Sequence, residues 1–134
     1  MYSLKVFEYT LNFLSKHFYG TPITVIYIPS TLSCYTLISN FKFPKAPYAP
    51  TENATTYRPI NVTNKNIQLA SYINNVCSKK RIPFFNATNC LKQAANIDFV
   101  HGPKDYFHLN QLGCKKLSGC IVQYLKQSEA HHRD

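Results

Sequence analysis

The sequence predicts an α/β domain built on a parallel sheet, and three observations carry that prediction. An amphipathic helical period opens the chain, a β-branched apolar run follows it, and helical and strand-like stretches then alternate to the end. The order is helix, strand, loop, helix, strand, helix, loop, helix, the pattern of a parallel sheet with helices packed on it. At 134 residues there is material for one domain with a modest core. Only two strands are legible, and two strands rarely bury enough to stand alone, so the sheet is expected to be incomplete, with its earlier strands upstream.

Leu4, Phe7, Leu11, Leu14 and Phe18 recur at steps of three and four, which predicts a helix over residues 2–18, stopped by Gly20 and Pro22. Ile23-Thr24-Val25-Ile26-Tyr27-Ile28 then suits a strand buried on both faces, ended by Pro29-Ser30. Residues 31–62 show no sustained period, and Pro44, Pro47, Pro50 and Pro59 argue for a long irregular excursion, of the kind used as lid or binding loop. A second helix fits residues 64–80 through Ile67, Ala70, Ile73 or Asn74, and Cys77, and a weaker strand, interrupted by Pro83, fits residues 82–85. A third helix is expected over residues 88–96 and a fourth over residues 111–125, the latter N-capped by Asn110, whose side-chain oxygen can accept from first-turn amides. Residues 1–126 form the domain and 127–134 a polar, frayed tail.

Hydrophobic residues make up 45% and charged residues 16%, a globular rather than a disordered composition. Fifteen Lys and Arg against six Asp and Glu give +9, which attracts anionic partners over a long range. The charge is scattered, though. Lys79-Lys80-Arg81 and Lys115-Lys116 are short groups without interleaved aromatics, so they read as solvated faces and not as a nucleic-acid surface. The first of them sits where cations suit a helix C-terminus.

The five cysteines, at 34, 77, 90, 114 and 120, form no C-x-x-C pair, so most are expected to be buried apolar thiols. The sequons at Asn53, Asn61 and Asn86 would matter only in a eukaryotic secretory setting, and residues 1–20 lack the basic and apolar regions of a signal peptide. No run approaches transmembrane length, so a soluble chain of open compartment is expected. No cofactor is implied. His131-His132 lacks a third ligand at a suitable spacing and reads as a solvated tail, so no metal site is assigned. His17 closes the first helix, where its charge needs no function.

The stretch Gly102-Pro103-Lys104-Asp105-Tyr106-Phe107-His108-Leu109-Asn110-Gln111-Leu112-Gly113 carries the candidate chemistry. Positions i and i+3 in a loop entering a helix lie roughly 5–6 Å apart at Cβ, so the Asp105 carboxylate can reach the His108 ring. It would then hold Nδ1–H, fix the tautomer and leave Nε2 to accept a proton from a nucleophile. Taken alone, the pair would more readily be read as a turn closure ahead of a capped helix.

Its surroundings point further. Asp-x-x-His followed by Leu-Asn-x-x-Gly and an amphipathic terminal helix resembles the last block of the SGNH hydrolases, also called GDSL esterases and lipases. Residues 24–30, TVIYIPS, resemble that family's buried fourth strand, and residues 82–88, IPFFNAT, the region of its fifth. The resemblance covers most of residues 1–126, but only Asp105 to Gly113 is motif-specific. It implies a flavodoxin-like three-layer fold, of which the last strands and helices are present. It also implies that Asp105 orients and His108 acts as general base. His101 is carried as a substrate contact in the same loop, against the plainer reading of a turn histidine.

The departures matter equally. The chain has no Gly-Asp-Ser nucleophile block and no Gly-x-Asn-Asp block for oxyanion donors. Ser30 stands at the carboxyl edge of the first strand, but no nucleophile-elbow pattern surrounds it. The expectation is therefore the carboxyl-terminal portion of a serine ester hydrolase, inactive alone, whose completed form would act on an acyl lipid or an O-acetylated carbohydrate. Self-association through an exposed sheet edge is expected with it. The alternative is a non-catalytic basic module that binds an anionic partner.

Overall fold

In the computed structural model, which describes residues 2–43, 55–102 and 105–130, the chain is mixed α/β, with four helices and a small parallel two-stranded sheet. Helix α1 (Tyr2–His17) leads to strand β1 (Val25–Tyr27) and a 3-10 turn (Thr31–Cys34). Strands β2 (Phe41–Phe43) and β3 (Thr55–Tyr57) follow, then α2 (Pro59–Lys79), β4 (Phe84–Asn86), α3 (Thr88–Ala95) and α4 (Gln111–Ala130).

β1 pairs in parallel with β4, Val25 opposite Phe84 and Tyr27 opposite Asn86. Parallel pairing needs a crossover, and α2 supplies it. Leu11 of α1 meets Val76 and Cys77 of α2 in one buried cluster, with Val25, Ile82 and Phe84 packed against it. A second cluster gathers Cys34, Ala87, Leu91, Ala94, Val100 and Leu117 between the 3-10 turn, α3 and α4. Tyr27 links the layers through a polar contact: its hydroxyl donates to Asn66 Oδ1 at 2.8 Å, and Asn66 Nδ2 donates to Thr88 Oγ1 at 3.4 Å.

Several expectations need correction. The strand expected to be buried on both faces is half-buried at Val25 and Ile26 and exposed at Ile28, because among the described residues β4 is its one partner. The excursion expected over residues 31–62 holds the 3-10 turn and the antiparallel pair β2 and β3, and its end is already helix. Pro59 opens α2 and does not belong to the loop: at the first helical position its missing N–H would have no partner anyway. Residues 44–54, with Pro44, Pro47, Pro50 and Asn53, lie outside the described residues.

The tail expected to fray from residue 127 continues α4 to Ala130, and 131–134, with His131 and His132, lie outside the described residues. Of five cysteines expected to be mostly buried thiols, Cys34 and Cys77 are so, with burial pushing the Cys34 thiol up to about 11. Cys114 is exposed, and Cys90 and Cys120 form a disulfide between α3 and α4.

α2 ends in a Schellman motif: Ile82 N–H donates to the Cys77 carbonyl at 2.9 Å and Arg81 N–H to the Ser78 carbonyl at 3.1 Å. Arg81 takes the left-handed conformation this requires, with φ 55°. The basic group therefore does sit at a helix C-terminus, with Lys79 as the last helical residue.

Candidate functional site

The candidate site lies on the segment that joins α3 to α4. Gly102 adopts φ 70°, and its N–H donates to the Asp105 carbonyl at 3.0 Å. Asp105 Oδ1 accepts from the Phe107 N–H at 3.0 Å, which leaves Oδ2 for His108. That contact is short: His108 Nδ1 lies 2.6 Å from Asp105 Oδ2. The hydrogen bond from His108 is the main cause holding the Asp105 carboxyl below its ordinary range, with the Phe107 N–H adding to it. An ionised carboxylate accepts only, so Nδ1 carries the proton and the lone pair of the neutral ring sits on Nε2.

Leu-Asn-x-x-Gly has a structural cause as well. Asn110 Oδ1 accepts from the Gly113 N–H at 2.9 Å, capping α4, while Nδ2 donates to the Phe99 carbonyl at 2.8 Å. The Asn110 N–H donates to the Val100 carbonyl at 3.0 Å. A Cβ at position 113 would stand 2.2 Å from that same carbonyl oxygen, so only glycine lets the first turn of α4 approach residue 100. The cap and the close approach fix the entry angle of α4, and with it the place where His108 is presented.

The site also adjoins the carboxyl end of β1. Thr31 Oγ1, just past that strand, donates to the Tyr106 carbonyl at 2.8 Å. Phe43 at the end of β2 packs its ring 5.1 Å from Tyr106 and 5.5 Å from Phe107, centroid to centroid. Between these elements opens an apolar cavity of about 780 Å³, with Leu32, Tyr35, Phe43, Phe99, His101 and Tyr106 in its wall. His108 is not in that wall. Its side chain is 76% exposed and that of Asp105 42%, so the pair stands in solvent beside the cavity.

His101 is placed differently: it is only 7% exposed, with its ring against Tyr35. The Tyr35 hydroxyl accepts from the N–H groups of Val100 and His101, both at 3.2 Å, and lies 3.0 Å from His101 Nδ1. With both lone pairs occupied, the hydroxyl donates to Nδ1, which makes His101 the neutral Nε2–H tautomer. Burial lowers its pKa in the same sense. Ser30 Oγ pairs with Ser33 Oγ at 3.0 Å and makes no bond to either histidine.

The structure thus brings Asp105 and His108 together, lines the neighbouring cavity with His101, and leaves Ser30 apart. Tyr35, Thr31 and Phe43 were not legible as site residues, since each falls in the stretch without a period. No family model matches the chain, and neither a curated protein nor a solved structure shows significant similarity to it. None of the described helices is long and apolar enough to cross a membrane.

Proposed function

We propose that this chain is the carboxyl-terminal, dyad-bearing portion of a serine ester hydrolase of the SGNH type, on a flavodoxin-like sheet whose remaining strands are not among these 134 residues. The observation that carries it is the 2.6 Å contact of Asp105 Oδ2 with His108 Nδ1, which leaves Nε2 without a hydrogen-bond partner among the described residues, on a side chain that is 76% exposed. His108 takes the proton of a serine hydroxyl as that oxygen attacks the acyl carbonyl, then returns it to the leaving alkoxide. Asp105 keeps the tautomer and stabilises the imidazolium. The cavity beside the pair is apolar and suits the acyl or alcohol part of an ester, with His101 Nε2–H as a donor in its wall.

Without Gly-Asp-Ser the chain by itself transfers no acyl group. Purified alone, it should hydrolyse p-nitrophenyl acetate no faster than its His108→Ala variant; turnover that depends on His108 would overturn the incompleteness. In any longer form carrying an upstream Gly-Asp-Ser, His108→Ala should lower kcat by roughly 10⁴-fold or more, and Asp105→Asn by about 10⁴-fold, as loss of the orienting acid does in related triads. Unchanged turnover in either variant would remove the assignment. Steeply salt-dependent binding to a polyanion, with no esterase activity in the longer form, would instead favour the basic binding module.

A further inference from the structure

Two features away from the dyad bear on where this chain matures. The first is the Cys90–Cys120 bridge that joins α3 to α4. Disulfides persist in oxidising compartments and are rare where cellular thiols keep cysteine reduced. The second is the pair of sequons Asn61-Val62-Thr63 and Asn86-Ala87-Thr88, whose asparagines are both exposed. Either alone is weak, because a sequon is short enough to arise by chance and a bridge says nothing of sugars. Together they name one environment.

We propose that the chain folds in an oxidising, glycosylating compartment of the eukaryotic secretory route, where it gains the Cys90–Cys120 bridge and N-linked glycans on Asn61 and Asn86. Bridge formation removes two electrons and two protons from the Cys90 and Cys120 thiols, and a disulfide-bearing oxidoreductase takes them up as its own dithiol. In glycosylation the asparagine Nδ2 bonds to the anomeric carbon of an oligosaccharide carried on a lipid pyrophosphate. The anomeric C–O bond to the pyrophosphate breaks, and Nδ2 gives up one of its two protons.

The folded chain accommodates both products. Asn86 Oδ1 accepts from the Thr88 N–H at 3.0 Å, so the oxygen serves the first turn of α3 and the nitrogen is the atom left to carry a sugar. The secondary amide produced keeps that oxygen and hence the bond. Asn61 lies in the first turn of α2 with Thr63 equally exposed, so a glycan there projects into solvent without disturbing the buried Val62 between them.

The test is to express the chain behind a cleavable secretion signal in eukaryotic cells, with Asn53→Gln so that two sequons remain. A glycan-cleaving amidase should then lower the apparent mass in two steps, in one step for Asn61→Gln or Asn86→Gln, and not at all for the double variant. Should a variant fail to be secreted, the amidase converts each glycosylated asparagine to aspartate, which peptide mass mapping reads at positions 61 and 86 of the parent. Non-reducing digestion should yield the Cys90–Cys120 peptide, and reductant should lower the melting temperature. Secreted, folded protein with no amidase-sensitive mass overturns the glycans. Free thiols at Cys90 and Cys120, or equal melting of oxidised and reduced protein, overturns the oxidising compartment.

Discussion

The Tyr35 hydroxyl accepts from two backbone N–H groups and donates to a ring nitrogen, so one oxygen organises the segment that leads to Asp105 and His108. Tyr35→Phe would strand all three partners beside a cavity wall, and leaving buried polar groups unpaired costs about 1–3 kcal/mol. Urea unfolding should show that loss, and an unchanged midpoint would mean that solvent replaces the hydroxyl. The pH dependence follows from His101. Its folded pKa is lowered from 6.5 by burial, so the unfolded chain binds the proton more readily. The contribution of the neutral ring is complete above 6.5 and is lost as pH falls through the lowered folded value, so stability should fall on acidification, and less so in His101→Gln. Nothing in the sequence marks Tyr35, because its partners lie some 65 positions away. Asp105 and His108 were legible for the opposite reason: the contact spans three residues, and local geometry alone can make it.

Among the elements, what was legible is what repeats. The period of α1 appears in the sequence near its observed bounds, α3 falls where a helix is expected, and α4 starts where its period begins but runs on past the expected end to Ala130, while the apolar run around β1 is visible as well. The start of α2 was hidden because Pro59 reads like the loop prolines before it, although the first helical turn welcomes it. β2 and β3 are three residues each, too short for an alternation to register, and the Cys90–Cys120 pairing is a choice among distant partners that sequence cannot make. The helix termini give a test with two opposite signs. Arg81 is a non-glycine residue in the left-handed region, so Arg81→Gly should stabilise by roughly 0.5–1 kcal/mol as the Cβ clash is relieved, net of glycine's added unfolded-state freedom. Gly113→Ala drives a methyl onto the Val100 carbonyl, where overpacking costs about 1–3 kcal/mol. Melting temperatures moving apart in these directions support both helix ends as described; a rise for Gly113→Ala would mean that α4 can shift off residue 100 without loss.

At the scale of the whole molecule the unpartnered surface is the dominant fact. Val25 donates its N–H to Pro83 and Tyr27 accepts from Ala87, so in the alternating parallel ladder Ile26 directs its own N–H and C=O away from β4. Among the described residues no strand meets them. The same end of the strand carries Ile28 at 50% exposure, and Val6, Tyr9 and Phe13 of α1 are exposed as well. A central-type apolar strand with an open edge is a template for further pairing, whether with strands of a longer chain or with a second copy. The 134-residue chain by itself should therefore associate. Light scattering across a concentration series should show a mass that grows with concentration, and Ile28→Lys, which places a charge at the strand end, should reduce it. If the chain instead remains a monodisperse monomer that unfolds in a single cooperative step, the edge needs no partner, and the proposal that further strands complete this sheet loses its physical basis.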